Sequence, residues 1–480
     1  MSKNLNIVWL KRDLRTIDHL PLFKAEELKQ DYIIIYLFEP DQMNHPDFSL
    51  RHQQFIYHSI IAMNKTLKTY NREVHVFYEN AENVFKYLTS KYSVKNVFSY
   101  QESGTNNSWL RDKKVNKFLA KKNIKWTEFE NQAVIRGSKN RLGWDKNWFS
   151  HATSLIIQNI YSFNNFQLQK SPFDFSIDTF PKLKEYPREF QPAGEKFALK
   201  YLISFLEDRG KNYNRHISQP EKSRYSCGRI STYLAWGNIT VKQVYQRVKK
   251  SPYYKTNKRA FDAFLSRIKW RSHFIQKFEV ECSYENICIN KGYEQMKYAN
   301  NNILLEKWKK GQTGFPMVDA SMRCLIKNGW LNFRMRAMLV SFLCHYLEQD
   351  WRRGVYHLAK LFLDYEPGIH FTQFQMQAGV TGINSIRVYN PIKQSIEKDP
   401  DAVFLKKWIP ELACIDNAFI HQPWKLTEID LIDKSIPEFY KHPIISHKLG
   451  RTEAVKELWS LRKNEAVKKE SKRLLNTHVR

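Results

Sequence analysis

Residues 364–391 read D-Y-E-P-G-I-H-F-T-Q-F-Q-M-Q-A-G-V-T-G-I-N-S-I-R-V-Y-N-P. This segment combines two carboxylates, one imidazole and several aromatic rings on a backbone interrupted by glycine and proline. The composition is poor for a plain helix, because glycine and proline weaken helix interiors. We therefore expect a functional site here, with Asp364, Glu366 and His370 as its polar groups.

The length and charge of the chain set the broad class of protein. At 480 residues it is longer than one hydrophobic core usually supports, so two domains are expected. It carries 77 Lys and Arg against 48 Asp and Glu, a net charge of +29. This excess favours nucleic-acid binding, because contacts to phosphates release counterions. A coding bias toward lysine and asparagine is the alternative explanation of the charge.

The cysteines and the N-terminal residues bear on the compartment. Six cysteines are scattered without C-x-x-C pairs, and the N-terminus leads straight into an apolar strand rather than a signal peptide. No run of 18 apolar residues is present, which is the length that a membrane span needs. We expect a reduced, cytoplasmic, monomeric protein with no metal and no membrane span.

The first part of the chain alternates between strand-like and helix-like patterns. Short apolar, β-branched runs occur at 5–10, 31–38, 73–78 and 94–100, with helix-like segments between them. This spacing predicts a parallel, Rossmann-like sheet wrapped by helices. The charged segment K-R-D-L-R (11–15) follows the first strand, where open α/β sheets bind ligands. A ligand crevice and a surface ion-pair cluster explain these charges equally well.

The rest of the chain divides into a connector and a helical part. Residues 131–194 are rich in aromatic residues and punctuated by proline, which predicts a long connector over a partner surface. Beyond 195, apolar residues recur at i, i+3 and i+4, as in helices. We expect an α/β domain over 1–130, a connector over 131–194 and an all-helical domain over 195–480.

The segment 213–233 contains a possible anion site. Small hydroxyl residues, Gly228 and Arg229 stand where a helix is expected to begin, over 229–235. Free backbone N–H groups and the positive end of a helix can hold a pyrophosphate. An ordinary helix start, capped by Ser226, is the alternative.

Two further groups of residues could carry chemistry. Helical spacing places Phe264, Arg267, Ile268 and Arg271 on one face, with Trp270 adjacent, which suits a phosphate backbone and an unstacked base. A core helix with solvated arginines is the alternative. Farther along, Arg336 and Asp364 could pair beside a redox cofactor and tune its charge, or form a structural ion pair.

Together, in this order and spacing, these motifs resemble the photolyase/cryptochrome family. The resemblance covers essentially the whole chain and extends to V-W-L-K-R-D-L-R-T-I-D-H (8–19), C-G-R-I-S-T-Y-L-A-W-G (227–237), G-Q-T-G-F-P-M-V-D-A-S-M-R (311–323), V-Y-N-P (388–391) and W-I-P-E-L (408–412). It implies FAD inside the helical domain. It also implies a second, antenna chromophore of folate or deazaflavin type in the α/β domain, whose identity stays open because Asn107-Ser108 replaces the folate-binding Asn-Glu.

The resemblance assigns expected roles position by position. The residues expected to bind FAD are Tyr213, Cys227, Gly228, Arg229, Ile230, Ser231, Phe264, Arg271, Trp330, Asp364 and Glu366. Those expected beside the reaction are His370, Arg336 and Asp364. Those expected to contact DNA are Arg267, Trp270, Arg334 and Met376.

Several positions depart from the family pattern. His370 stands where repair enzymes usually carry Asn, and its ring could hydrogen-bond the flavin or stabilise the flavin anion by its charge. Arg267, Phe333 and Met376 replace the usual lesion contacts. The photoreduction chain keeps Trp308 and Trp351, but its flavin-proximal Trp is replaced by Phe374, a poorer electron relay. Light-driven reduction then needs another route, such as a tyrosine, or fails.

The expected function is a light-dependent lyase that splits cyclobutane pyrimidine dimers in UV-damaged DNA, by electron transfer from excited, reduced FAD. The alternative is a cryptochrome-type blue-light photoreceptor without repair activity. A basic, helical RNA-binding protein would explain the charge but not the ordered motifs. Repair of (6-4) photoproducts is disfavoured, because the adjacent His pair of that subclass is missing from 329–338.

Overall fold

The N-terminal part of the protein is a five-stranded parallel sheet in a computed structural model that describes residues 4–432, 435–447 and 452–479. The sheet order is β3-β2-β1-β4-β5. The strands are β1 (Asn4–Leu10), β2 (Tyr32–Leu37), β3 (Val74–Phe77), β4 (Ser93–Tyr100) and β5 (Lys125–Phe129). The predicted parallel sheet is confirmed. Strand β5 was not predicted, because K-W-T-E-F is only partly apolar and half-buried.

The sheet is covered on both faces, as parallel sheets require. Every residue of β2 is buried, and Ile7 of β1 pairs with Ile33 of β2 and Val97 of β4. The helices of this part are α1 (Leu20–Glu27), α2 (Pro40–Met43), α3 (Leu50–Leu67), α4 (Ala81–Lys91) and α5 (Asn106–Lys121).

The connector lies against the open edge of the sheet. Its one α-helix in the described residues is α6 (Trp144–Thr153), which buries Trp144 and Trp148. Farther on, Phe175 N donates to Val76 O at 2.9 Å, and Tyr78 N donates to Phe173 O at 2.8 Å. These antiparallel contacts protect the β3 edge from pairing with another chain. The boundaries near 130 and 194 stay predictions.

The remainder of the described chain is helical, as expected for the second domain. Its first helices are α7 (Glu195–Glu207), α8 (Tyr213–His216), α9 (Lys222–Ser226), α10 (Ser231–Ala235), α11 (Val241–Lys250), α12 (Lys258–Val280), α13 (Asn302–Lys310) and α14 (Pro316–Asn328). Then follow α15 (Phe333–Ser341), α16 (Arg352–Leu361), α17 (Pro367–Ala378), α18 (Pro391–Lys398), α19 (Val403–Trp408), α20 (Asn417–Ile420), α21 (Glu438–Lys441), α22 (Glu453–Leu461) and α23 (Glu465–His478). No helix in the described residues is long and apolar enough to cross a membrane.

One of three clusters of buried side chains in the described residues spans both domains. This cluster contains Val8 of the sheet, Trp144 of the connector and Leu234 of the helical domain. Backbone contacts cross the same junction, since Leu14 N donates to Trp236 O at 3.1 Å. The helical site described below is therefore held against the carboxyl end of the sheet.

The K-R-D-L-R segment is part of this junction rather than a surface cluster. The Arg12 guanidinium donates to Tyr365 O at 3.0 Å and lies 4.4 Å from the Trp236 ring centre. Arg15 donates to Gly237 O at 3.2 Å, and Lys11 pairs with Asp112 at 2.9 Å. The surface ion-pair interpretation is therefore wrong, because Lys11, Asp13 and Arg15 are buried and Arg12 is partly buried.

Acid is expected to unfold the protein. Burial lowers the pKa of five histidines to about 4, namely His52, His151, His345, His357 and His370. Their pKa in the unfolded chain is about 6.5. Below about pH 6.5, the unfolded state therefore takes up protons that the folded state excludes. The contribution of these histidines to the free energy of unfolding is fully present above about pH 6.5 and is lost as the pH falls through about 4.

The measurement is the urea midpoint at about pH 7.5 and about pH 5, at one high salt concentration that screens the net positive charge. We expect a lower midpoint at the acidic pH. The variant His345→Gln removes one of the five groups and should show a shallower pH dependence. Identical midpoints at the two pH values for the native protein would rule this account out.

Candidate functional site

The segment that opened the sequence analysis forms a loop and then helix α17. Pro367 occupies the first helical position, where its missing N–H costs nothing, and Gly379 ends the helix with φ +87°. The prediction that this composition is poor for a helix is therefore wrong for 367–378, because its proline lies at the helix start and Gly379 just past its end. A Cβ on Gly368 would lie 2.7 Å from Ile275 Cα, so glycine permits the close packing of α17 on α12.

Asp364 lies just before α17 and pairs with Arg336 of α15. Arg336 Nη2 donates to Asp364 Oδ2 at 2.8 Å, and Arg336 Nε donates to Leu331 O. The second carboxylate oxygen, Asp364 Oδ1, is buried and has no hydrogen-bond partner. Buried polar atoms are nearly always satisfied, so this oxygen marks a place for a donor from outside the protein chain.

Arg229 is a buried cation without a carboxylate partner within 4 Å in the part of the chain that the structure describes. Its guanidinium lies 4.0 Å from the Trp330 ring centre, and its Nε atom has no partner. Burial lowers its pKa to about 10. An unpaired buried charge is costly, so this site is complementary to an anion such as a phosphate.

The loop around Arg229 differs from the expected helix start. Helix α10 begins at Ser231, covers five residues and has no side-chain cap, so its dipole adds little. Ser226 belongs to α9, and its hydroxyl contacts His216 Nδ1 at 2.7 Å. The alternative of a helix capped by Ser226 is therefore wrong. The attraction for an anion comes from the Arg229 guanidinium rather than from a helix end.

The apolar wall of this site is formed by aromatic rings. Phe264 packs 5.9 Å from Tyr213, and both rings are buried. A Cβ on Gly228 would lie 2.8 Å from the Phe264 ring, so glycine lets this ring lie directly on the loop. The other predicted cofactor residues of the loop, Cys227, Ile230 and Ser231, adjoin it in sequence. The structure thus brings the 227–231 loop and Phe264 together.

Arg271 and Glu366 form a buried ion pair. Arg271 Nη2 donates to Glu366 Oε2 at 2.9 Å and to Leu234 O, and Arg271 Nη1 donates to Gln132 Oε1 at 2.6 Å. This arginine ties α12, the connector and α17 together. Its predicted contact to FAD stays a prediction, whereas Arg229 has the unsatisfied charge that a contact to a phosphate needs.

His370 lies on the first turns of α17 within a ring of aromatic side chains. Its Nε2 atom lies 2.8 Å from Val355 O, a contact that requires Nε2 to carry the proton and leaves the Nδ1 lone pair as an acceptor. Burial lowers the pKa of His370 to about 4. The ring is therefore neutral near pH 7, which speaks against stabilisation of a flavin anion by its charge.

An aromatic–arginine face, defined here as Arg267, Trp270, Phe333 and Arg334, lies on the surface of α12 and α15. Trp270 and Phe333 are 49% and 43% exposed. The Arg267 guanidinium lies 5.8 Å from the Trp270 ring centre and 5.6 Å from that of Phe333. Three of the predicted DNA contacts are therefore brought together. Met376, the fourth, is half-buried on α17.

The expected electron-transfer residues are all buried. Trp308 and Trp351 are completely inaccessible, and Phe374 lies 6.5 Å from the Trp351 ring centre. Trp308 Nε1 donates to Leu339 O at 3.2 Å. None of these rings reaches the surface, so this series does not by itself connect the site with an external reductant.

Two cavities lie at the carboxyl edge of the sheet. One, lined by Arg15, Tyr100 and Asn131, measures about 310 Å³, and ligand sites usually measure about 300–1,000 Å³. The other, beside Trp9 and Arg111, measures only about 70 Å³. Arg111 occupies much of the edge and pairs with Glu39, Glu102 and Asp112 at 2.6–2.9 Å. These residues do not fit a large heteroaromatic ring. The second chromophore stays a prediction.

Sequence reasoning missed the polar residues that join the domains at this site. Tyr365 donates from its hydroxyl to Asp47 Oδ2 at 2.7 Å, across 318 residues of sequence. The only available signal was the position of Tyr365 between the two predicted carboxylates. Nothing in the sequence around Asp47 indicates this partner.

The comparisons with known proteins agree with this geometry. Two family models match the chain, "DNA photolyase" over residues 6–139 and "FAD binding domain of DNA photolyase" over residues 264–460. The deoxyribodipyrimidine photo-lyase of Alkalihalophilus pseudofirmus is 24% identical and covers 95% of this chain and 98% of that protein. The cryptochrome DASH of a Synechocystis species is 25% identical over 88% of this chain and 90% of that protein.

The fold comparison points the same way. The crystal structure of a bacterial class III photolyase from Agrobacterium tumefaciens superposes with a TM-score of 0.83 at 22% identity, over 98% of both chains. The structure joins a parallel α/β domain to a helical domain that contains an unsatisfied anion site. These features are typical of a two-domain, cofactor-binding protein. The chain belongs to the photolyase/cryptochrome family, and its helical domain is an FAD-binding domain.

Proposed function

We propose that the protein is a light-dependent DNA repair lyase that splits cyclobutane pyrimidine dimers, with FAD as its redox catalyst. The observation that carries the proposal is the exposed aromatic–arginine face beside the candidate flavin site. Phe333 and Arg334 of this face share helix α15 with Arg336, which pairs with Asp364. A surface for damaged DNA and the anchor for the cofactor therefore belong to one rigid element.

The residues around the site fit FAD. The buried Arg229 guanidinium would neutralise a phosphate, and the unsatisfied Asp364 Oδ1 would accept a hydrogen bond from the flavin. Trp330 and the Phe264 ring supply apolar walls. FAD bound here supplies an electron donor that light can excite.

The protein's own groups set the environment of that chemistry. Asp364 and Arg336 form a fixed dipole that orients the polar edge of the cofactor. His370 is neutral, and its Nδ1 lone pair can hold a hydrogen bond without adding charge. The surrounding aromatic side chains exclude water from the site.

Damaged DNA would dock on the aromatic–arginine face. A dimer is paired and stacked poorly, so flipping it out of the duplex costs less than flipping a normal base. Trp270 offers an exposed ring for stacking, while Arg267 and Arg334 offer positive charge to the phosphates beside the lesion. The net charge of +29 supports the same partner.

The variant Trp270→Ala is expected to weaken binding to dimer-containing DNA by about 1–3 kcal/mol, because stacking of a base on an aromatic ring contributes about this much. The measurement is a titration of labelled damaged and undamaged duplexes at one fixed salt concentration. We expect the loss to be confined to the damaged duplex.

Trp459 provides a matched control for this variant. Its ring is 43% exposed and has Arg462 at 5.8 Å, but it lies on α22, outside the aromatic–arginine face. Trp459→Ala should bind damaged DNA like the native protein. Equal affinities for native protein and Trp270→Ala would show that the lesion docks elsewhere.

A blue-light photoreceptor is the second candidate function. Arg267, Phe333 and Met376 stand where repair enzymes of the family usually contact the lesion, and a cryptochrome DASH is among the relatives. The discriminating test is illumination of the chemically reduced protein with damaged DNA. Intact dimers, together with a light-induced change in the flavin spectrum, would favour the photoreceptor.

We also place the protein in the cytoplasm as a monomer. All six cysteines are unpaired, as is usual in a reducing compartment.

A further inference from the structure

A chain of four hydrogen bonds runs through the domain junction and has a tyrosine at each end. Tyr365 Oη donates to Asp47 Oδ2 at 2.7 Å, and Asp47 Oδ1 lies 2.7 Å from His45 Nδ1. His45 Nε2 lies 3.2 Å from Glu285 Oε1. Tyr356 Oη donates to the same Glu285 oxygen at 3.1 Å. We call these five residues the tyrosine relay.

The charge states within the relay leave Asp47 an ionised carboxylate that can accept a proton. Burial opposes its charge, but the hydrogen bonds from His45 and Tyr365 and the nearby Arg12 outweigh burial and lower the pKa of Asp47. Burial opposes a charge on His45, but its hydrogen bonds to Asp47 and Glu285 outweigh this effect and raise its pKa to about 10. His45 is therefore a cation near pH 7. Burial also raises the pKa of Tyr365 well above its usual value, so the phenol keeps its proton until an electron leaves.

The position of Tyr365 connects the relay with the candidate flavin site. Tyr365 stands between Asp364 and Glu366 in sequence, and its ring centre lies 5.3 Å from that of His370. Its hydroxyl donates to Asp47 in the α/β domain. Tyr365 thus contacts both a residue of the candidate site and a proton acceptor.

The residues of the expected photoreduction chain, Trp308, Trp351 and Phe374, offer no equivalent to this pairing of an oxidisable ring with a proton acceptor. Phe374 replaces the proximal tryptophan, and phenylalanine is much harder to oxidise than tyrosine or tryptophan. Trp351 and Trp308 are completely buried, as is Tyr365. Tyr365 is an oxidisable ring that adjoins Asp364 in sequence and has a carboxylate partner for its proton. Tyr356, at the far end of the relay, is only partly buried.

We propose that Tyr365 donates the electron that reduces the light-excited, oxidised flavin, and that Asp47 accepts its phenolic proton. One electron leaves the Tyr365 ring and is gained by FAD. The proton moves from Tyr365 Oη to Asp47 Oδ2, which leaves a neutral tyrosyl radical. A thiol in solution then returns one electron, becoming a thiyl radical and releasing its own proton to water. The proton on Asp47 moves back to Tyr365 Oη, and the relay is restored.

This inference shares one assumption with the proposed function, namely that FAD binds beside Asp364. Repair by chemically reduced protein does not require the step, since the flavin already carries its electrons. Photoreduction without DNA therefore tests Tyr365 separately from the repair activity.

The experiment uses protein loaded with oxidised FAD, kept free of oxygen and illuminated with blue light in the presence of a thiol. The variant Tyr365→Phe should reduce its flavin about tenfold more slowly or worse, which is about 1.4 kcal/mol in the barrier. Rates are normalised to the flavin content of each sample. Native protein should also react more slowly in D₂O, because a proton moves with the electron.

Electron paramagnetic resonance gives an independent readout. Samples frozen under illumination should show a tyrosyl radical that narrows with ring-deuterated tyrosine and is missing from Tyr365→Phe. Asp47→Asn keeps the ring but removes the proton acceptor, so it should slow reduction and abolish the D₂O effect.

Tyr284→Phe is the matched control. Tyr284 is 1% exposed and bonded to His478 Nε2 at 3.0 Å, but it lies outside the relay. It should reduce its flavin at the native rate. Native kinetics in Tyr365→Phe, a radical that persists in that variant, or a native protein whose flavin light fails to reduce would each overturn the proposal.

Discussion

Replacing Asp364 with alanine is expected to yield a folded protein that retains little flavin. The change removes the carboxylate whose Oδ1 atom has no protein partner, and it leaves the Arg336 guanidinium without its ion pair. A hydrogen bond to a charged group contributes about 1.5–3 kcal/mol, so the loss of the Oδ1 acceptor is expected to lower flavin affinity about tenfold to a hundredfold. The loss of the ion pair lowers stability in the flavin-free and the flavin-bound protein alike.

The measurement is the ratio of flavin to protein absorbance after purification, with flavin fluorescence on denaturation as a check. Asp399→Ala is the control, because Asp399 is a buried carboxylate that caps α19 through Phe404 N and Leu405 N and is not among the predicted cofactor residues. This control should lose stability but keep its flavin. Stoichiometric and spectrally unchanged flavin in Asp364→Ala would remove the anchoring role.

The variant Gly237→Ala is expected to weaken the packing between the two domains and to lower the free energy of unfolding. Gly237 has φ +74°, and a Cβ there would overlap the Arg12 carbonyl oxygen and lie 2.5 Å from Asp13 Cα. Both neighbours are backbone atoms of the first domain, which cannot rotate away as a side chain can. The steric conflict adds to the cost of a positive φ, and we expect a loss of about 4 kcal/mol.

Gly137 isolates the steric part of this effect. It has φ +75°, but no atom lies within 4 Å of the place of its Cβ. Gly137→Ala should cost only the conformational term, about 1–2 kcal/mol. Urea unfolding of both variants provides the comparison. Equal losses would mean that the contact between Gly237 and the 12–13 backbone does not hold the domains together.

The fold could be predicted from sequence because its signals are local. Apolar runs such as Y-I-I-I-Y-L-F, separated by helical patterns, are enough to indicate a parallel sheet. The periodicity beyond 195 is equally local. Strand β5 was missed because it is a half-buried edge strand with alternating polar residues, whose pattern is weak.

The site was predictable only as a set of residue types. A pairing of Arg336 with Asp364 could be suggested from their motifs. That Arg229 has no ion-pair partner within 4 Å among the described residues depends on what other segments bring there. The engagement of Arg271 by Gln132 of the connector likewise joins residues far apart in sequence. The Tyr365–Asp47 contact is the extreme case, since no local pattern encodes it.

The most direct test of the central claim is light-dependent repair. Purified protein is reduced chemically in the dark, mixed with a molar excess of an oligonucleotide that contains one cyclobutane pyrimidine dimer, and exposed to blue light while dimer loss is followed. The proposal predicts that dimers disappear only in the light and that each flavin repairs several of them. Dimers that survive illumination, with flavin bound and reduced, would contradict the repair function.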